Sequence, residues 1–292
     1  MLESLINPKK AERRPWEMFF IGLFYALFSI IFVNWMFARD PVFGNSTSLL
    51  IITFTVMLSI PFMFYTIKFE EKKDEEIEKE RILIREHGKA LLAFTFLFLG
   101  FLVAFSLAYV ILPQNVVSKN FELPIKQYCT INSPGNVEGC ITEQLGAGIT
   151  GEASGITGQA TGWSRVMDIF SNNMYVLIFC LIFSLAFGAG AIFILTWNAS
   201  VIASAIGSLS KASLTQFPAA FFKYMIHGLP EIGAYFVAGL AGGIISMAVI
   251  RHDVKEAKFW YILQDSIDLI ILSVVVLFVA TLIEVFITPL IF

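Results

Sequence analysis

The chain has 292 residues, 57% of them hydrophobic and 15% charged, with 30 Phe and a net charge of −3. Soluble domains run to roughly 45–50% apolar and about 25% charged, so this composition, with a mean hydropathy of +0.75, excludes a soluble enzyme, a disordered chain and a fibrous protein. Three Cys exclude a disulfide-dense module, and the charge excludes nucleic acid as a natural partner, leaving an all-α polytopic membrane helix bundle whose first partner is the lipid bilayer.

Six stretches are long enough to cross the hydrocarbon, which takes about 20 apolar residues: 18–38, 48–67, 90–112, 174–196, 229–250 and 269–291. The first follows Lys9, Lys10, Arg13 and Arg14. Its apolar run exceeds the ~7–15-residue core of a signal peptide, so it reads as a retained anchor. The run 68–89 between the second and third stretches carries seven Lys/Arg. Lys and Arg favour the cytoplasmic side, which places the N-terminus and 68–89 in the cytoplasm of a cell and 113–173 outside it. Within 68–89, Lys72–Glu76 and Glu75–Lys79 are spaced to pair on a helix. The run reads as a solvated helical hairpin, with His87 at a helix end beside Gly88; docking of a partner is the rival reading.

The external stretch 113–173 holds Cys129 and Cys140 around a Ser-Pro-Gly-Asn turn. They form a candidate disulfide, and the absence of further nearby ligands argues against a metal site. GITGEAS at 148–154 is followed by GITGQAT at 155–161. This repeat suits either a flexible loop or close backbone packing. Trp163 reads as an interfacial anchor, Asn172 and Asn173 as an N-cap before the fourth stretch, and Cys180 as packing.

Beyond the fourth stretch, 198–209 is apolar but short for a span and is expected to enter the bilayer as a re-entrant piece. With six crossings, Arg251, Lys255 and Lys258 would fall outside, against the charge tendency. A broken or re-entrant helix is therefore placed near 199–230. The chain divides into 1–112 with three helices, the Gly-rich external 113–173, and a membrane core over 174–292.

Ionisable residues inside a span are costly and mark functional hypotheses. The six stretches contain Glu231 and Glu284. His227 lies four residues before Glu231, with Gly228 and Pro230 between. The residue before a proline avoids the helical region, so a break is expected there, with Pro230 and Glu231 in the first turn of the next helix. Three readings are open for His227 and Glu231: a polar clasp at a kink, a cation or proton site at a broken helix, or an acid/base centre. Lys223 and His227 are the candidate partners of Glu284. Ala238, Gly239, Gly242 and Gly243, with Ala186, Gly188 and Gly190 upstream, give small residues at the spacing that lets membrane helices approach closely. They are compatible with a homodimer and with packing inside one chain.

Asn172 and Asn173, FGAG at 187–190, Asn198, HGLPE at 227–231 and AGLAGG at 238–243 together resemble the stage II sporulation protein M family of integral membrane proteins. The opening INPKKAERRPWEMFF resembles its archaeal members. The resemblance implies a multi-pass protein that holds cell-envelope enzymes at the membrane without being one itself. By resemblance, His227, Gly228, Pro230 and Glu231 form the family's central site. The expected function is thus a non-enzymatic scaffold of a cell-envelope or membrane-remodelling complex, with an unidentified envelope partner and neither cofactor nor metal. The alternative is a cation- or proton-coupled transporter or channel using Glu231 and Glu284.

Overall fold

The computed structural model of the chain describes residues 7–76, 80–133, 135–145, 162–211, 213–251 and 257–291; the side chains of 74–76, 80–85 and Asn132 are not described. The repeat at 148–161 and the pairs made by Glu75, Glu76 and Lys79 lie outside this set. Twelve helices follow one another: α1 (Pro8–Arg13), α2 (Trp16–Phe37), α3 (Thr47–Glu76), α4 (Glu80–Ile111), α5 (Gln114–Asn120), α6 (Glu122–Asn132), α7 (Val137–Leu145), α8 (Gly162–Phe187), α9 (Ala191–Ser210), α10 (Phe217–Arg251), α11 (Ala257–Leu282) and α12 (Thr288–Ile291). No strand occurs among the described residues. Uninterrupted helix is what lipid demands, because it offers no partner to a free backbone N–H or C=O.

Among the described residues, seven helical segments are long and apolar enough to cross a membrane, one more than the sequence stretches gave. The additional crossing comes from the expected fourth stretch, 174–196. It is cut at Gly188, whose φ of +69° is a left-handed conformation that glycine adopts without strain. Apolar side chains on both sides of the turn hide it from a hydropathy reading. α8 ends before the turn and α9 begins after it, so 198–209 is the second half of a 20-residue span and not a re-entrant piece.

The chain does break within 199–230, between the end of α9 at Ser210 and the start of α10 at Phe217, and not at Pro230. Ser213 is extended, Leu214–Gln216 form a 3-10 turn, and the hydroxyls of Ser213 and Thr215 lie 2.7 Å apart. α10 then runs unbroken through Gly228 and Pro230. Proline inside a helix frees one carbonyl and crowds the preceding turn. Within a bilayer the lost hydrogen bond is still less costly than unwinding, and neighbouring groups absorb it. Pro61 sits inside α3 in the same way. Glu231 therefore lies well within a helix and not in a first turn. Likewise Asn172 and Asn173 lie inside α8, which begins ten residues earlier, and do not cap it.

α10 is the central helix: 78% of its apolar window is buried, against 22% for α8 and 28% for α11, which flank it. α3, α4 and α9 complete the interior, and α2 packs along α4. Gly22 and Gly100 set the α2–α4 crossing, since a Cβ on Gly22 would collide with the Leu97 carbonyl and one on Gly100 with the Phe19 carbonyl. The small stripe of α10 meets α8 and the Gly188 turn. A Cβ on Gly239 would reach Ala191 Cβ at 2.6 Å, one on Gly242 the Leu181 carbonyl oxygen at 2.7 Å, and one on Gly243 the Gly188 carbonyl oxygen at 2.8 Å. Ala186 is exposed and outside this contact; Ser184 takes its place and accepts a hydrogen bond from the Ala191 amide at 3.2 Å.

Candidate functional site

The crossings gather the polar residues at two opposite ends of the bundle. One end carries α5–α7, where Cys129 and Cys140 are joined in a disulfide that ties α6 to α7. The other carries α1, the end of α3, the start of α4 and the end of α10.

His227, Glu231, Glu284 and Thr288 face one another at the α5–α7 end. Glu231 lies twenty residues before Arg251, about 30 Å along a helix, which is the thickness of the hydrocarbon. The site is therefore at an interface and not at the bilayer midplane. Glu231 accepts a hydrogen bond from the Tyr235 hydroxyl at 2.7 Å, one turn along the same helix. His227 and Glu231 do not pair with each other. The Thr288 hydroxyl donates to the Ile283 carbonyl at 3.2 Å, and His227 Nδ1 lies 3.2 Å from Thr288 Oγ1. A hydroxyl has one proton to give, so Thr288 accepts from an Nδ1–H of His227.

Glu284 stands in a π-helical turn, Ile283–Ile287. Pro289 lacks the N–H that would close the next α-helical turn, and the ladder widens ahead of it. Single π-turns of this kind recur at functional positions. Glu284 is within electrostatic reach of Glu231, Tyr224 and Tyr235, and Arg165 in the first turn of α8 is the cation that acts on it. Neither Lys223 nor His227, the expected partners, takes that role. Tyr224 is within electrostatic reach of Tyr128 of α6, which links the disulfide-tied cap to α10. Gly228 is buried with room for a methyl beside Met225, so packing does not account for that motif position.

The opposite end holds a second constellation that sequence reasoning missed. Lys73 Nζ lies 2.7 Å from Glu70, 2.9 Å from Glu12 of α1 and 3.8 Å from Glu86 of α4. His87 Nδ1 lies 2.7 Å from the second Glu70 oxygen. Glu70 and His87 are at most 1% exposed, and Lys73 8%. Glu70, Lys73 and His87 of the 68–89 run thus belong to a buried ion network, and His87 is not a solvated helix-end residue. Arg251 donates to Glu71 across 180 residues of sequence, tying α10 to α3. Glu70 is about 35 Å along α3 from Thr47, beyond the ~30 Å hydrocarbon, so these charges also sit at an interface. The signal in the sequence was the three-residue spacing of Glu70 and Lys73. Its partners Glu12 and His87 are remote in the chain.

The carboxyl of Glu12 is pushed up to about 7, chiefly by burial and then by its hydrogen bond to Glu70 and that neighbour's charge; Lys73 opposes the rise. A carboxyl whose proton is held more tightly in the folded state adds stability below its ordinary range, near 4.5, and loses it as pH rises through about 7. The midpoint of thermal unfolding in detergent is therefore expected to fall between pH 5 and pH 8. Glu12→Gln should flatten that slope, and an unchanged slope in the variant would remove Glu12 as its source.

A family model described as stage II sporulation protein M matches residues 90–289. The chain therefore belongs to this family of membrane proteins. An uncharacterized protein of Methanocaldococcus jannaschii is 32% identical over 127 residues, covering 42% of this chain and 70% of that protein. No solved structure matches. The match begins in α4 and ends at Pro289, so it spans the cap, α8–α11 and the π-turn, and omits α1–α3.

Proposed function

We propose that the protein is a non-enzymatic scaffold of a cell-envelope or membrane-remodelling complex, with its N-terminus in the cytoplasm of a cell membrane. The carrying observation is that the family motif is engaged inside the bundle: His227 with Thr288 and Glu231 with Tyr235. The Tyr224–Tyr128 contact extends this clasp to the cap. A clasp that fixes a disulfide-tied cap on the bundle end suits the presentation of a partner surface outside the cell. Seven crossings also remove the charge conflict of six. Arg251 bonds to Glu71 of α3, whose Lys73 holds Glu12 of α1, and Lys255 and Lys258 follow Arg251 in the sequence, so the basic segments fall together on the cytoplasmic side of this reading.

Crosslinked affinity purification from native membranes, with quantitative mass spectrometry, tests this for wild type and Glu231→Gln. A near-stoichiometric envelope partner that the variant loses is the expected result. A variant with normal thermal stability and unchanged partners would sink the proposal. The second reading, a cation or proton path, draws on the electrostatic reach between Glu231 and Glu284. It requires pH-dependent flux in proteoliposomes that Glu231→Gln and Glu284→Gln both weaken.

A further inference from the structure

We propose that α1 is a binding site for anionic phospholipid headgroups at the membrane surface. The proposal needs the membrane reading of the chain and is independent of the scaffold. Lys9, Lys10, Arg13 and Arg14 stand within six residues, with Glu12 as the one carboxylate among them. The structure removes that carboxylate from the surface: the Glu12 side chain is 8% exposed and is held by Lys73. Ala11 is buried beside it. The inward face of α1 is thus packed, and its cations are left on the other side. Asn7, Lys9, Lys10, Arg13 and Arg14 line a concavity of about 540 Å³. Arg14 keeps a side chain 62% exposed while it bridges Glu17 at 3.3 Å, and Lys9 lies over the Phe69 ring at 5.4 Å.

The start of α2 sets the height of this concavity in the bilayer. Trp16 begins the first spanning helix, is 51% exposed and packs edge-on to the exposed Phe20. Exposed aromatics at a helix end sit at headgroup level. The four cations precede Trp16 directly, so they stand where phosphate groups lie. Each Lys or Arg close to an anionic leaflet adds to binding, and the attraction dies within a Debye length. A phosphodiester with a neutral or absent headgroup cation fits this charge set; a zwitterionic headgroup returns a positive charge to it.

The experiment uses the full chain in mild detergent with phosphatidylglycerol or phosphatidylcholine added to the micelles. Bound lipid is counted by native mass spectrometry. The expected result is a preference for phosphatidylglycerol that disappears at about 1 M salt, where screening acts within about 3 Å. Replacing Lys9, Lys10, Arg13 and Arg14 by Gln should weaken phosphatidylglycerol binding by about tenfold or more. Lys119→Gln with Lys126→Gln, at the opposite end, should leave it unchanged. Equal binding of both lipids by wild type, or undiminished binding by the fourfold variant, overturns the proposal. Inorganic phosphate that displaces the lipid at equal concentration assigns the site to a soluble anion and overturns it as well. If the fourfold variant does not fold, the wild-type lipid comparison with its salt series decides.

Discussion

Lys73→Met is expected to destabilise the folded protein by about 3–5 kcal/mol, the range found when one partner is removed from a buried ion network. Methionine matches the aliphatic stem of lysine, so packing is kept and the charge alone is lost. Two carboxylates then face each other with no cation between them, since Lys73 is the group bonded to both Glu70 and Glu12. Glu70 retains His87 at 2.7 Å, whereas Glu12 has to leave the site or stay protonated. α1 is accordingly expected to detach from α3 and α4, and trypsin should cut after Arg13 well before the rest of the chain, the Arg14–Pro15 bond being resistant. On the scale of roughly 2–4 °C per kcal/mol for larger domains, the midpoint falls by on the order of 10 °C. Lys68→Met is the control, because Lys68 is an exposed lysine on the same helix and surface changes stay within about 0.5 kcal/mol. Equal midpoints for the two variants would show that the network contributes nothing. Detachment of α1 in Lys73→Met would also weaken lipid binding at its four cations, and this links a buried pair to a surface property.

That network shows where the sequence was opaque. Hydropathy placed α2 to within two residues, and the start of α3 and the end of α4 to within one, but it stopped at the charges: α3 runs nine residues past the apolar stretch and α4 begins ten before it. It joined the end of α8 to the start of α9 because the Gly188 turn lies between apolar flanks, and one glycine among several carries no mark of a positive φ. Rules for proline derived from water-exposed helices misplaced the break at Pro230, where α10, packed inside the bundle, runs on unbroken. The small stripe at Gly239, Gly242 and Gly243 was legible from its spacing. Its partner face was half legible: Gly188 and Gly190 belong to the turn, but Ser184 and Ala191 do the packing. Glu70 and His87 read as members of a solvated charge run, since nothing in their neighbourhood reports that Glu12, 58 residues earlier in the sequence, arrives to cover them. Glu231 was recognised as costly, but its nearest partner, Tyr235, is simply the next turn of a helix that the expected break had removed.

Gly242→Leu is expected to cost about 3 kcal/mol and to open the crossing of α8 over α10. The first carbon of any side chain at this position arrives 2.7 Å from the Leu181 carbonyl oxygen and 3.1 Å from Ser184 Cβ. The oxygen is backbone and cannot turn aside, so α8 has to move as a body. Such overpacking costs about 1–3 kcal/mol even in cores with some freedom, and leucine adds three further carbons to the clash. The movement reaches the Gly188 turn, because Ser184 holds the Ala191 amide at 3.2 Å. Gly233 supplies an internal control on the same helix, since a Cβ there would meet nothing within 4 Å. Alanine is favoured over glycine in a helix by up to about 1 kcal/mol, so Gly233→Ala should be neutral or stabilising and Gly242→Ala destabilising. Opposite signs from the same substitution nine residues apart would separate close approach from helix propensity. Equal signs would mean that α8 yields without cost. In that case the small stripe is not what holds the helix carrying Arg165 against the helix carrying Glu231, and the clasp at the capped end must be maintained from α11 alone.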